Sequence, residues 1–207
     1  MKTESKVASR IKSVAIAGAG GIGSYLAGFL YDFGVNRAQF PAANWSWVVF
    51  DDDTVDATNL LHQNFTEDDI GRPKAEIISE RTARLLRPEL RFMTKDDFDK
   101  YDVVFSCVDS MTFRKDLYHY GFRRPDFYWV DGRCSSRNIG MFNSKVSEKI
   151  LLANLTDTTE RRGCLREVDK KEKTSHITPV IVAATMAQCF LNHLREEDTT
   201  SQILLYL

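Results

Sequence analysis

Residues 14–23, Val-Ala-Ile-Ala-Gly-Ala-Gly-Gly-Ile-Gly, constrain the fold of this chain more than any other stretch. A short apolar strand, Val14 to Ala17, runs into Gly18, Gly20 and Gly23, and an apolar helix is expected from about Ile22. Glycines at this spacing let the backbone turn tightly and approach a phosphate, while N–H groups at the start of the following helix point at it. A tight strand–helix turn with no ligand is the plainer alternative. The setting favours a chain that binds a nucleotide, without saying which one.

The 207 residues are expected to form one domain around one substantial core. A formal net charge of −1 gives no basic excess of the kind that marks nucleic-acid binding. The start, Met-Lys-Thr-Glu-Ser-Lys, lacks the apolar core of a signal peptide, and no apolar run approaches the roughly 18 residues of a membrane span. Cys107, Cys134, Cys164 and Cys189 form no C-x-x-C pair, which argues against a structural zinc site and suits free thiols in a reducing compartment. A cytoplasmic protein with no membrane or nucleic-acid partner is the expectation.

Strand and helix patterns alternate after the glycine loop. A helix over Ile22 to Val35 is expected to stop at Gly34, followed by a loop over 36–46 and a strand over Trp47 to Phe50. Asp69 to Pro73 has helix-start chemistry, and the helix after it, carrying Ile77, Ile78, Leu85 and Leu86, is expected to end at Pro88. Strands then follow at Leu90 to Met93, Val103 to Val108 and Phe127 to Val130, with a helix from Met111 to Phe122. The alternation predicts a parallel sheet covered by helices. Beyond it, Ile139 to Val146 and Lys149 to Asn154 read as two further, antiparallel strands. A charged loop over 156–175 leads to an apolar helix, Ile177 to Leu194, and a last strand at Ile203 to Tyr206.

Polar groups cluster after the strands. Asp51, at the end of the second strand, is placed to accept hydrogen bonds from ribose hydroxyls, although Asp51 to Asp53 also suit a solvated strand end. The glycine loop and this acid would equally fit an NAD-dependent oxidoreductase. Asn59, Gln63, Lys74 and Asp109 fit it less well. In an open parallel sheet they converge on the crevice at the carboxyl ends of the strands. A lysine near phosphates and an aspartate for magnesium are what phosphoryl or nucleotidyl transfer needs, and hydride transfer needs neither.

The ordered series G-A-G-G-I-G-S, D-D-D-T-V, N-L-L-H-Q, D-I-G-R-P-K-A and C-V-D-S-M-T-F-R resembles the ThiF/MoeB/HesA family, the adenylating domains related to ubiquitin-activating enzymes. The resemblance covers about residues 13–195 and points to the small, stand-alone, zinc-free branch, since the zinc-binding cysteine pairs are missing. It implies a Rossmann-like α/β fold, a mostly parallel sheet with helices on both faces and later strands antiparallel. It also implies ATP- and Mg2+-dependent adenylation of the C-terminal carboxylate of a ubiquitin-like or sulfur-carrier protein with a glycine tail, with release of pyrophosphate, in a homodimer.

Carried over by motif, Gly18, Gly20, Gly21 and Gly23 would line the nucleotide phosphates, and Asp51 would hold the ribose with Asp53 supporting the loop. Asn59 and Gln63 would contact phosphates, Lys74 would neutralise the α-phosphate and departing pyrophosphate, and Asp109 would bind magnesium with Arg114 supporting it. The family pattern Asn-x-x-Arg-Gln has His62 in place of its arginine here, a single neutral donor where a guanidinium offers a charged fork. Arg10 is a poor stand-in for the arginine that many relatives lend to a partner subunit. A non-catalytic scaffold that pairs with an active partner is therefore the second reading.

Cys164 lies among Arg161, Arg162 and Arg166, in the crossover loop where activating-enzyme relatives often place a thioester cysteine. Flanking arginines favour a thiolate, and an incidental exposed cysteine is the alternative. Cys107 and Cys189 read as packing residues, and Arg133 in Asp-Gly-Arg as a secondary contact to nucleotide or substrate tail. His119, His176 and His193 have no metal-ligand spacing.

Overall fold

Apolar residues on both faces of short strands build the centre of the molecule. The computed structural model describes residues 5–36, 42–135, 137–155, 171–172 and 177–206. Seven strands form one sheet: β1 (Ser13–Ala17), β2 (Ser46–Phe50), β3 (Leu86–Glu89), β4 (Val103–Ser106), β5 (Tyr128–Ser135), β6 (Asn138–Asn143) and β7 (Gln202–Tyr206), in the order β3-β2-β1-β4-β5-β6-β7. The first five are mutually parallel, while β6 and β7 are antiparallel to their neighbours. This is the mixed α/β architecture expected of the chain.

The two-residue period of the strands feeds two cores. Val14, Ile16, Trp47, Val49, Val103 and Phe105 point to one face, where they meet α1 (Lys6–Arg10), α2 (Gly23–Phe29), α3 (Lys74–Arg81) and a last long helix, α6 (Thr178–Leu194). Ala15, Ala17, Val48, Phe50, Val104 and Trp129 point to the other, under α4 (Met111–Arg123) and α5 (Glu148–Ala153). Helices thus cover both faces, and α6 supplies the apolar wall with Val182, Met186 and Phe190 fully buried.

Several local expectations are corrected. The helix after the glycine loop does not stop at Gly34, because the chain widens into a π-helical stretch over Leu30–Asn36 that contains it. Helix α3 ends at Arg81, well before Pro88. The Thr82 hydroxyl turns back to donate to the Ile78 carbonyl at 2.8 Å, and Ala83 and Arg84 adopt φ of 48° and 61°, which breaks the right-handed helix. Leu86 then opens β3, and Pro88 sits inside that strand, tolerated because β3 is a sheet edge. The strand expected at Leu90 to Met93 is absent from the sheet, with Leu90 and Phe92 exposed.

In place of the strand expected over Lys149 to Asn154, the chain forms helix α5 over Glu148–Ala153. Its Glu, Lys, Leu and Ala residues are strong helix formers, and adjacent Leu151 and Leu152 differ sharply in burial. Ile150 and Leu151 face the core, Leu152 and Ala153 are exposed, and Asn154 and Leu155 are half-buried again, so burial returns at a helical, not an alternating, period. Among the described residues, no helix is long and apolar enough to cross a membrane.

Candidate functional site

The carboxyl ends of β1, β2 and β4 open onto a cavity of about 350 Å³. Each strand delivers one wall because parallel strands end on the same side of the sheet. From β1 comes the glycine loop, with Gly18, Gly20 and Gly21 in the lining. Gly18 has φ +91°, and a Cβ there would stand 2.9 Å from the Cys107 carbonyl oxygen. Gly23 lies behind the lining, where a Cβ would fall 1.8 Å from the Gly18 carbonyl oxygen. Gly18 gives the turn its conformation, and Gly23 lets the first turn of α2 press against it.

Strand β2 delivers Asp51, which fixes this loop from the side. Its Oδ2 accepts the Ala19 N–H at 2.6 Å and its Oδ1 accepts the Asp53 N–H at 2.9 Å. Burial pushes the carboxyl above its ordinary value, opposed by the two N–H donors and by the charge of Lys74. Both oxygens retain acceptor capacity for a ligand hydroxyl.

Lys74 arrives from the start of α3. A β-bridge between Thr54 and Pro73 and the Lys74 N–H donating to the Asp53 carbonyl (3.0 Å) fold the two segments together. The Lys74 ammonium then reaches Asp53 Oδ2 at 3.0 Å while its side chain is 6 % exposed, against 64 % for Asp53. The lysine is therefore a held cation on the cavity wall, not a solvated first-turn residue.

His62 and Gln63 also line the cavity, with Gln63 Nε2 3.4 Å from His62 Nε2. Gln63 is buried, and its Oε1 has no hydrogen-bond partner among the described residues. Asn59 is buried but stands outside the lining. Its side-chain oxygen accepts the Asp56 N–H, and its carbonyl accepts the N–H groups of His62 and Gln63, so it shapes the turn that presents them.

Asp109 and Ser110 come from the loop after β4, and Asp109 is exposed at the cavity rim. Arg114 is not the expected support of Asp109. Its Nε donates to Asp131 Oδ1 at 3.0 Å and its Nη2 to the Val108 carbonyl at 2.6 Å. It reaches the Asp109 loop only through this backbone.

Asp131, itself fully buried, is the centre of a cluster that the sequence did not reveal. Ser106, Tyr118, Arg114 and Arg133 all donate to its carboxylate. Burial pushes this carboxyl up, but the two arginine charges outweigh it and hold the group below the usual range. Arg133 also donates to the Asn154 carbonyl at 3.0 Å and lies over the Phe142 ring, which makes it a structural residue outside the cavity lining.

Cys107 and Cys134 both line the cavity, whereas Cys107 reads from sequence as a packed strand residue. Strand β4 ends at Ser106, which releases Cys107 to the loop. Its place could have been found from the register of the Cys-Val-Asp motif at a strand end. Cys189 is buried as expected, in contact with Tyr128 Oη (3.3 Å) and Asn143 Nδ2 (3.1 Å). Cys164, His176 and nearly all of the 156–175 loop fall outside the described residues.

A protein-family model described as the ThiF family matches residues 3–204. The chain belongs to the ThiF family. Among curated relatives, it is 28 % identical over 168 residues to ubiquitin-like modifier-activating enzyme 5 of Drosophila virilis, covering 70 % of this chain and 36 % of the relative. The enzyme of the same name from Aedes aegypti is 26 % identical over the same length and shares. This ThiF-family chain thus spans about a third of the length of these relatives.

Its fold is also that of several solved structures. A crystal structure of E. coli MccB superposes with a TM-score of 0.70 at 19 % identity, covering 97 % of this chain and 61 % of that one. E. coli MccB with ATP gives 0.67 at 17 % identity, with 97 % and 63 % covered. PaaA gives 0.66 at 13 % identity, over 97 % and 63 %. At these identities the likeness establishes the Rossmann-like fold of the family.

Proposed function

We propose that this chain is an ATP-dependent adenylyltransferase that activates the C-terminal carboxylate of a ubiquitin-like or sulfur-carrier protein, working as a homodimer. The observation that carries the reading is Lys74, a buried ammonium held 3.0 Å from Asp53 on the same cavity as the glycine loop and Asp109. A dehydrogenase site has no use for a fixed cation and an exposed carboxylate at this place. The names of the relatives as modifier-activating enzymes and the solved MccB complex with ATP support the same reading.

In this scheme an acceptor carboxylate oxygen forms a bond to the α-phosphorus, and the bond from that phosphorus to the pyrophosphate oxygen breaks. Gly18, Gly20 and Gly21 leave backbone room for the phosphates, and Asp51 accepts from the ribose. Lys74 offsets the charge that builds on the α-phosphate and on the leaving pyrophosphate, from a wall where water competes poorly. Holding both reactants in one cavity makes the attack effectively intramolecular.

Asp109 suits magnesium. It is an exposed oxygen ligand at the cavity rim, and Mg2+ takes one or two protein carboxylates and completes its shell with phosphate oxygens and water. When bound, the ion would neutralise phosphate charge. Cys164 would accept the acyl group as a thioester, its Sγ displacing AMP from the acyl-adenylate.

The test is ATP–pyrophosphate exchange with candidate carrier proteins ending in Gly-Gly. Exchange that requires the intact glycine tail supports the reading. A folded chain that binds ATP and supports no exchange with any such carrier would overturn the catalytic claim in favour of the scaffold.

A further inference from the structure

Asp131 carries an arginine on each of its oxygens, and each arginine reaches on to backbone in a different part of the molecule. Arg114 Nε donates to Oδ1 at 3.0 Å, while its Nη2 donates to the Val108 carbonyl at 2.6 Å and to the Gly132 carbonyl at 3.3 Å. Arg133 Nε donates to Oδ2 at 2.8 Å, while its Nη1 donates to the Asn154 carbonyl at 3.0 Å. Ser106 on Oδ1 and Tyr118 on Oδ2 complete the acceptor positions of the carboxylate, and the Tyr118 hydroxyl accepts from Arg133 Nη2. A guanidinium is planar, so fixing its Nε fixes where its other nitrogens point.

One arm ends beside Asp109. The Val108 carbonyl belongs to the peptide group that leads into Asp109, and Ser110 on the other side caps α4, its side chain accepting the Phe113 N–H at 3.3 Å. Asp109 is exposed at the cavity rim, so these flanking anchors set where its carboxylate stands. The glycine loop packs directly behind them, since a Cβ on Gly18 would stand 3.2 Å from Val108 Cγ1. The other arm ends on the residue that closes α5. Asn154 donates its N–H to the Leu151 carbonyl at 3.0 Å and its side-chain Nδ2 to the Ile150 carbonyl at 2.8 Å. Asp131, Arg133 and Asn154 all stand outside the cavity lining.

We infer that Asp131 is a positioning residue that couples the end of α5 to Asp109, so that metal-dependent nucleotide binding and the order of the α5 end change together. The inference rests on the reading of Asp109 as the magnesium-side carboxylate and names what controls that carboxylate from outside the cavity. A carboxylate with every acceptor position taken cannot release one arginine without disturbing the other. The coupling is reciprocal. If nucleotide with Mg2+ tightens the α5 end, a change at that end alters the affinity for nucleotide with Mg2+ by the same factor.

The experiment has two readouts on the full chain, each with ATP in EDTA and with ATP in Mg2+. Hydrogen exchange follows the Asn154 and Leu155 N–H groups, which donate to the Leu151 and Leu152 carbonyls at 3.0 and 3.2 Å. Calorimetry gives the gain in ATP affinity that Mg2+ confers. In wild type, Mg2+ is expected to slow exchange at both amides several-fold beyond ATP alone. Arg133→Met removes the α5 arm, and Arg114→Lys keeps a cation beside Asp131 without the fork that reaches Val108. Each should abolish that slowing and cut the Mg2+ gain by at least about fivefold, with affinity for metal-free ATP unchanged. Added to Asp109→Asn, neither should reduce the gain further, which independent structural effects would not produce.

Three results would each overturn the inference and leave the nucleotide reading intact: α5 exchange in wild type that Mg2+ does not alter, a wild-type Mg2+ gain in either variant that folds, or losses that add to that of Asp109→Asn. Wild-type ATP binding that Mg2+ does not strengthen would overturn the reading of Asp109 and this inference with it. No ATP binding by the folded wild-type chain would overturn the nucleotide reading itself.

Discussion

Replacing Asp131 by asparagine isolates the buried charge cluster behind the cavity. Asparagine keeps the shape but has one acceptor oxygen where the carboxylate has two, so it can accept on the Ser106 side or on the Tyr118 side and not on both, and it leaves Arg114 and Arg133 without a counter-charge. Arg114 is 10 % and Arg133 19 % exposed at the side chain, and Asp131 is fully buried, so water can restore little of what is lost. Removing one member of a buried ion group typically costs about 3–5 kcal/mol. In a chain of this size each kcal/mol lowers the melting temperature by about 2–4 °C, so a fall of roughly 6–20 °C is expected. Ser106→Ala, which removes one neutral donor from the same carboxylate, sets the scale at about 1 kcal/mol.

The same cluster predicts a pH signature. Asp131 is held below its ordinary value, so the stability it contributes is present above the unfolded carboxylate value and is lost as pH falls through the lower folded value. Wild type and Asp131→Asn should therefore differ most near neutrality and converge in acid. Urea melts at pH 7 and at pH 3 measure this. A variant within about 1 kcal/mol of wild type at pH 7 would refute the idea that the cluster is a charge-balanced unit.

Three further outcomes are expected. Lys74→Met, which keeps the buried stem and removes the ammonium, should lower pyrophosphate exchange by about 10²–10³-fold, as loss of a transition-state charge contact does, while circular dichroism stays unchanged. Gly23→Ala forces a Cβ to within 1.8 Å of the Gly18 carbonyl oxygen, so it should destabilise by about 1–3 kcal/mol and abolish thermal stabilisation by ATP. His193 is stacked on Tyr128 at 3.7 Å, and burial and the charge of Lys145 push its value down to about 4. Since an unfolded histidine titrates near 6.5, stability should decline as pH falls from about 6.5 towards 4. His193→Gln should flatten that part of a stability–pH curve.

The outline of the cavity was legible because its chemistry is tied to backbone pattern. An apolar strand ending in glycines, an acid closing the next strand and a lysine at a helix start are local sequence events. The parallel sheet converts them into neighbours. What could not be read was set by pairings distant in sequence or by competition between nearby signals. Arg114 and Asp131 are 17 residues apart with nothing in either segment to announce the pair.

Pro88 is a strong breaker and drew the end of α3 towards itself. The actual stop is the pair of left-handed residues Ala83 and Arg84, a conformation that neither residue type advertises. The run Lys149 to Asn154 is too short and too apolar for period alone to separate helix from strand, and the packing of Leu151 decides it.

The clamp that Asp51 places across the glycine loop has a thermodynamic consequence. Because the carboxylate holds the N–H groups of Ala19 and Asp53 without any ligand, the loop's conformational freedom is surrendered when the chain folds. A nucleotide then meets a rigid seat, and its affinity is not reduced by the population of some rarer open form. Loosening this carboxylate would weaken binding through the loop's regained entropy as well as through its own contact to the ribose, even where every phosphate contact could still be made.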